Sequence, residues 1–199
     1  AGNVKRLKKV VGNAVGLSAA SAVLLLIAGE SIVFPVLSLL QTPGEIIGQS
    51  MLYLRIMFAG VPIVMAYNLL ASILRALGDG KTPLHAMITA AAVNIVLDII
   101  FVMAFGWGIA GAAAATLIAQ FCSSIYCYVY IRKIEILSLC REDFRWEKEL
   151  DWKLILLGLP MAFQNAIISI GGMIVQAVVN GFGVIFIAGF TATNKLYGV

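Results

Sequence analysis

The chain has 199 residues, of which 61% are apolar and only 12% charged, and its mean hydropathy is +0.99. A soluble domain carries about a quarter of its residues charged, so this composition, with several apolar runs of about 20 residues, describes an all-α polytopic membrane protein. The net charge of +4 does not point to nucleic acid, because the basic residues sit in the connections between the apolar runs, where they set orientation in the bilayer.

Taken in chain order, hydropathy and helix breakers predict six spans. The first covers about 14–40 and ends at QTPGE; the second covers about 50–74 and ends at RALGDGKTP. The third covers about 84–105 and turns at GWGIAG into the fourth, about 109–131. A polar stretch precedes the fifth, about 154–179, and a sixth begins near 184. Pro35, Pro62 and Pro160 fall inside these spans and are expected to bend them. The sequence begins without methionine or a signal-peptide pattern and stops within an apolar run, so it reads as a fragment of a longer protein.

The lysines and arginines assign the sides. Of the 14 basic residues, only Arg55 and Lys195 fall within spans. The others lie in the N-terminal KRLKK, in RALGDGK and in 132–153, which alternate with connections that hold none. That asymmetry places these three segments in the cytoplasm. Residues 132–153 mix both signs of charge with Ile134, Leu137, Phe144, Trp146 and Trp152, as an amphipathic linker lying at the membrane surface does. The expected organisation is a first lobe over 1–131, the linker over 132–153, and the start of a second lobe over 154–199.

Within AAAVNIVLDIIF, residues 90–101, Asn94 and Asp98 interrupt an otherwise apolar helix. An aspartate at mid-membrane costs roughly 2.5 to 3.5 kcal/mol on insertion scales, so Asp98 must face the protein interior or water. Counting outward from Trp107 at ~1.5 Å per residue sets Asp98 level with Thr116, and Asn94 level with Gln120. The pairs 94/98 and 116/120 each share a helix face, and the small residues of GIAGAAAAT let the two helices approach closely. The result is a patch of four polar groups, suited to binding a cation or a proton, or to fastening two helices together.

Other polar positions carry less. Glu30 and Arg55 are expected either to pair or to reach for the interface. His85 reads as an interfacial residue, and Tyr126, Tyr128 and Tyr130 as part of an aromatic belt. Cys122, Cys127 and Cys140 lack metal or disulfide spacing, and neither a nucleophile motif nor a His/Glu metal motif suggests an enzyme.

The run ILRALGDGKTPLHAMITAAAVNIVLDIIFVMAFGWGIAGAAAATLIAQ resembles the central signature of the multidrug and toxic compound extrusion (MATE) family, and LGLPMAFQNAIISIGGMIVQAVVNGFG with IAGFTATNKL resembles the start of that family's second lobe. The resemblance implies a twelve-helix, two-lobe antiporter, of which this chain covers the third helix to the start of the eighth. It would export drugs or organic cations in exchange for Na⁺ or H⁺ by alternating access, act as a monomer when full length, and reside in the cell membrane, as in a bacterial cytoplasmic membrane. No cofactor beyond the coupling ion and no nucleic-acid partner are expected. On this resemblance Asn94, Asp98 and Thr116 form the coupling site, with Na⁺ as one candidate occupant, and Gln120, Gln164 and Lys195 support it or line the cavity. The seventh-helix stretch PMAFQNAIISIGG lacks the glutamate that some members carry, which leaves the first lobe as the coupling site. The alternative is a flippase for a lipid-linked precursor, which would want several basic residues in its cavity.

Overall fold

The computed structural model describes residues 2–39, 44–134, 140–144, 146–180 and 190, and all the elements among them are helical. They fall into two units, Ala1–Glu147 and Lys148–Val199.

The first unit opens with helix α1, Gly2–Leu39. Nothing between the basic start and the apolar run breaks a helix, so α1 takes in both. Its 38 residues reach about 57 Å at ~1.5 Å per residue, well beyond a hydrocarbon core of about 30 Å. The apolar part alone therefore fills the membrane, and the KRLKK turns extend past it. Helix α2, Gly44–Ala59, and helix α3, Val61–Ala76, are two apolar helices that meet at a bend of 44°. The break sits at Gly60. Pro62 follows in the first turn of α3, where its missing N–H is no loss. A Cβ on Gly60 would overlap the side chain of Leu117, so the bare glycine is what lets the bend close on the helix that carries Leu117. Pro35, by contrast, lies within a continuous α1, and Pro160 within a continuous helix of the second unit.

From α3 the chain turns into helix α4, Lys81–Asp98, by a tightly specified connection. Gly78 takes φ +87°, and the N–H groups of Gly78 and Asp79 donate to the carbonyls of Arg75 and Leu74 at 3.0 and 2.9 Å. This is the Schellman ending of a helix, and it needs a residue tolerant of positive φ. The Asp79 carboxylate then accepts from the backbone N–H of Lys81 (3.1 Å) and of Thr82 (3.0 Å) and from the Thr82 hydroxyl (2.6 Å). Those bonds satisfy the first turn of α4.

Past Asp98 the coil widens into a π-helical segment, Ile99–Ala104. Gly106 and Gly108, both at positive φ, reverse the chain into helix α5, Gly108–Ile131. Phe101, Phe105 and Trp107 pack their rings 5.1 to 6.1 Å apart across this reversal. Helix α5 is the centre of the unit. Its buried Gly111, Ala113, Ala115 and Ala119 permit close packing, Ser123 donates to the carbonyl of Ala86 on α4 at 3.1 Å, and Ser124 donates to that of Ile63 on α3 at 3.3 Å. Leu74, Ala86 and Cys127 form a small core near the basic end, closed over by Tyr67, Leu70, Ile131 and Ile134.

After Ile134 the described chain resumes at Cys140 and makes a 3₁₀ turn, Arg141–Phe144. The second unit is described through helix α6, Lys148–Asn180, which is apolar over a length that can cross a membrane. The sixth expected span lies, apart from Phe190, outside the described residues. Among the described residues four helices are long and apolar enough to cross a membrane alone, and the bent α2–α3 pair makes a fifth if it is counted as one span.

Candidate functional site

Asn94 and Asp98 occupy the last two turns of α4, and Thr116 lies on the facing side of α5. Thr116 donates its hydroxyl to the carbonyl of Ala112 at 2.9 Å, one turn back along its own helix. Its oxygen is thereby left to accept, and Asn94 Nδ2 donates to it at 3.4 Å. The carboxylate of Asp98 is different in kind. Its Oδ1 is buried and has no hydrogen-bond donor among the described residues. A buried acceptor left unsatisfied costs about 1–3 kcal/mol, so Oδ1 calls for a partner beyond the described residues.

The structure shifts the expected register by about one helical turn. Counting from Trp107 set Asn94 opposite Gln120, whereas Asn94 meets Thr116. The π segment acts in the same direction: its wider coil advances less per residue than an α-helix, which draws the residues before it toward the turn. Gln120 remains half-buried on the same face as Thr116, one turn farther from the reversal. Gln164 is exposed on α6 in the second unit, and Lys195 lies outside the described residues.

Several other polar groups find partners. Glu30 and Arg55 approach to 3.8 Å while keeping 36% and 57% of their side chains exposed, a loose pair between α1 and α2. Gly29 brings these helices together, since a Cβ there would overlap the ring of Phe58. Asp151 Oδ1 also is buried without a donor among the described residues, but it sits in the first turn of α6, where the helix dipole favours a negative charge. Among the described residues no group of three or more His, Cys, Asp or Glu side chains could hold a metal.

Two features went unread in the sequence. Asp79 was legible only as part of a loop, although Gly-Asp followed by Thr three residues on is the signal of a helix-capping carboxylate. The hydroxyl of Thr82 first, and then its backbone N–H, hold the Asp79 carboxyl below its ordinary value of 3.8. The π segment beside Asp98 has no equivalent signal.

Comparison with known proteins bears directly on this geometry. The family model MatE matches residues 1–100, the stretch that holds α1 to α4 and both Asn94 and Asp98. The chain belongs to the MATE family. It is 38% identical over 163 residues to the probable multidrug resistance protein YpnP of Bacillus subtilis, covering 80% of this chain and 36% of that one. With the probable multidrug resistance protein YoeA of the same organism it shares 30% identity over 202 residues, 98% of this chain and 44% of the relative. The chain thus spans less than half the length of these curated relatives. Among solved structures, a multidrug resistance MATE family transporter of the MOP superfamily in its outward-facing conformation superposes with a TM-score of 0.81 at 26% identity, covering 94% of this chain and 43% of that one. A MOP superfamily transporter from Pyrococcus furiosus superposes with a TM-score of 0.83 at 25% identity, covering 98% and 44%. These are names of transporters and resistance proteins rather than enzymes, and the chain is part of a multi-pass membrane protein.

Proposed function

We propose that the full-length protein is a secondary antiporter that exports drug-like or organic cations in exchange for Na⁺ or H⁺, with Asn94, Asp98 and Thr116 as its coupling site. The observation that carries this reading is the buried, donorless Oδ1 of Asp98, one helical turn from the Asn94–Thr116 pair. A hard cation seeks oxygen ligands, and the site offers a carboxylate, an amide carbonyl and a hydroxyl. A proton on Asp98 would serve the same end by cancelling its charge. Occupancy by either changes the charge of the cavity wall and so the affinity for a cationic substrate, which is the linkage an antiporter needs. Two lobes rocking about such a site would expose it to each side in turn. The names of the bacterial relatives support drug-like substrates, and the basic connections support a cytoplasmic-membrane orientation with the α3–α4 turn inside. The same reading takes the complete protein as a monomer in its bilayer.

The deciding experiment reconstitutes the full-length protein in vesicles with an imposed Na⁺ or H⁺ gradient. Efflux of a fluorescent organic cation should follow one of the gradients, and Asp98→Asn should abolish that dependence. Gradient-driven efflux at the wild-type rate by Asp98→Asn would remove the site from the mechanism. Translocation of a lipid-linked precursor without any cation efflux would replace the exporter with a flippase.

A further inference from the structure

The N-terminal third of α1 carries a built docking groove, and Asp143, Trp146 and Glu147 lie against it. Gly12 and Gly16 are one turn apart and share a face of the helix. The backbone carbonyl of Asp143 occupies the space where a Cβ on Gly12 would stand, so no other residue fits there unless the chain moves away. The indole of Trp146 rests over Gly16, at 3.8 Å from the position of a Cβ. Between the glycines, Asn13 is only 3% exposed and uses both ends of its amide: Nδ2 donates to the carbonyl of Lys9 at 2.8 Å, and Oδ1 accepts from the backbone N–H of Glu147 at 3.2 Å. Lys9 pairs with the Glu147 carboxylate at the rim. The docked segment is itself braced, because the Asp143 carboxylate accepts from the Cys140 N–H at 2.8 Å and the Asp143 N–H donates to the Cys140 carbonyl at 2.9 Å.

Small residues four apart commonly let two helices approach in a membrane. Here they receive an irregular segment, held by a buried side chain whose polar ends are satisfied. Such an arrangement suits a permanent joint better than a surface contact that forms and breaks. From it the chain passes directly from Glu147 into α6 at Lys148.

We infer that residues 140–144, with Trp146 and Glu147, are a strap that clamps the connector between the two units to α1 and stays closed while the protein transports, so that the connector leaves the first unit from a fixed point instead of acting as a loose tether. The transport part of this inference rests on the proposed function; the clamp itself does not.

The test uses the full-length protein with its native cysteines replaced and with Lys9→Cys and Glu147→Cys introduced together. A disulfide needs its Cβ atoms about 3.5–4.5 Å apart, closer than a long Lys–Glu pair guarantees, so a short bifunctional methanethiosulfonate is the reagent. The cross-linked peptide, measured by mass spectrometry in native membranes, should form efficiently with or without substrate and cation. Gly12→Val should slow it about tenfold, since overpacking displaces the strap, whereas Gly48→Val, where a Cβ meets nothing, should not. Absence of the cross-link, or equal rates in the two valine variants, overturns the clamp. Once cross-linked, the protein should keep its vesicle transport rate; arrest that a reductant reverses would show that the strap must open. Efficient cross-linking in a protein that moves no drug-like cation would sustain the clamp and sink the exporter reading alone.

Discussion

Asp79 and Asp98 stand at the two ends of α4, and their surroundings are opposites. Asp79 lies at the exposed end and is fully engaged, accepting from two backbone N–H groups and one hydroxyl. Asp98 lies at the far end, where the α-helix gives way to a π segment, and its Oδ1 accepts from nothing. One carboxylate completes a helix start; the other has an oxygen without a donor among the described residues. The contrast separates a residue that shapes the fold from the one proposed to bind the coupling ion, although both fall within the same family signature.

The largest effect should come from Asp98→Asn. Gradient-dependent transport should fall at least about tenfold, while thermal unfolding of the purified protein should stay level or rise, because an unsatisfied buried carboxylate has been neutralised. A fall in unfolding temperature with intact coupling would invert the assignment. Thr116→Val keeps the shape and removes the hydroxyl, so the cation dependence should weaken by about three- to tenfold, the equivalent of one ligand hydrogen bond. A titration of transport rate against Na⁺ or H⁺ measures it. Asp79→Ala should do the reverse of Asp98→Asn, lowering the unfolding temperature while the ion dependence is unchanged. Because folding lowers the Asp79 pKa, its contribution is present above the unfolded value of 3.8 and is lost as pH falls through the folded value. Melting curves of wild type and Asp79→Ala should therefore stay apart above pH 3.8 and converge only as pH falls below it through the folded value. The smallest effect belongs to Glu30→Gln, since a pair at 3.8 Å that keeps 57% and 36% exposure is worth under about 1 kcal/mol. A large loss of stability there would mean that the pair is shielded in the complete protein.

What the sequence made legible followed from its strongest signals. Apolar runs of membrane length, basic loops on alternate connections and a carboxylate amid alanines, valines and isoleucines yielded the spans, the expected sidedness and Asp98. Pro62 beside Gly60 marked a real break, whereas Pro35 and Pro160 sit in helices that run on through them. The register between α4 and α5 could not be counted correctly, and a π segment changes the rise there without any residue that announces it. The strap was equally hidden. Gly12 and Asn13 look like ordinary residues of a polar helix start, and only the carbonyl of Asp143 lying against the one, and the N–H of Glu147 bound to the other, give them meaning.

The neighbouring serines of α5 have a mechanical consequence. Ser123 donates to a carbonyl of α4, and the single hydroxyl proton of Ser124 is shared between the Gln120 carbonyl of its own helix at 3.1 Å and the Ile63 carbonyl of α3 at 3.3 Å, so a single turn of α5 ties together three helices whose small residues already pack closely. Cooperative blocks of this kind open together. Pulled out of a bilayer by its end in a force experiment, the full-length protein should release α3, α4 and α5 in one rip rather than helix by helix, and Ser123→Ala with Ser124→Ala should split that rip in two.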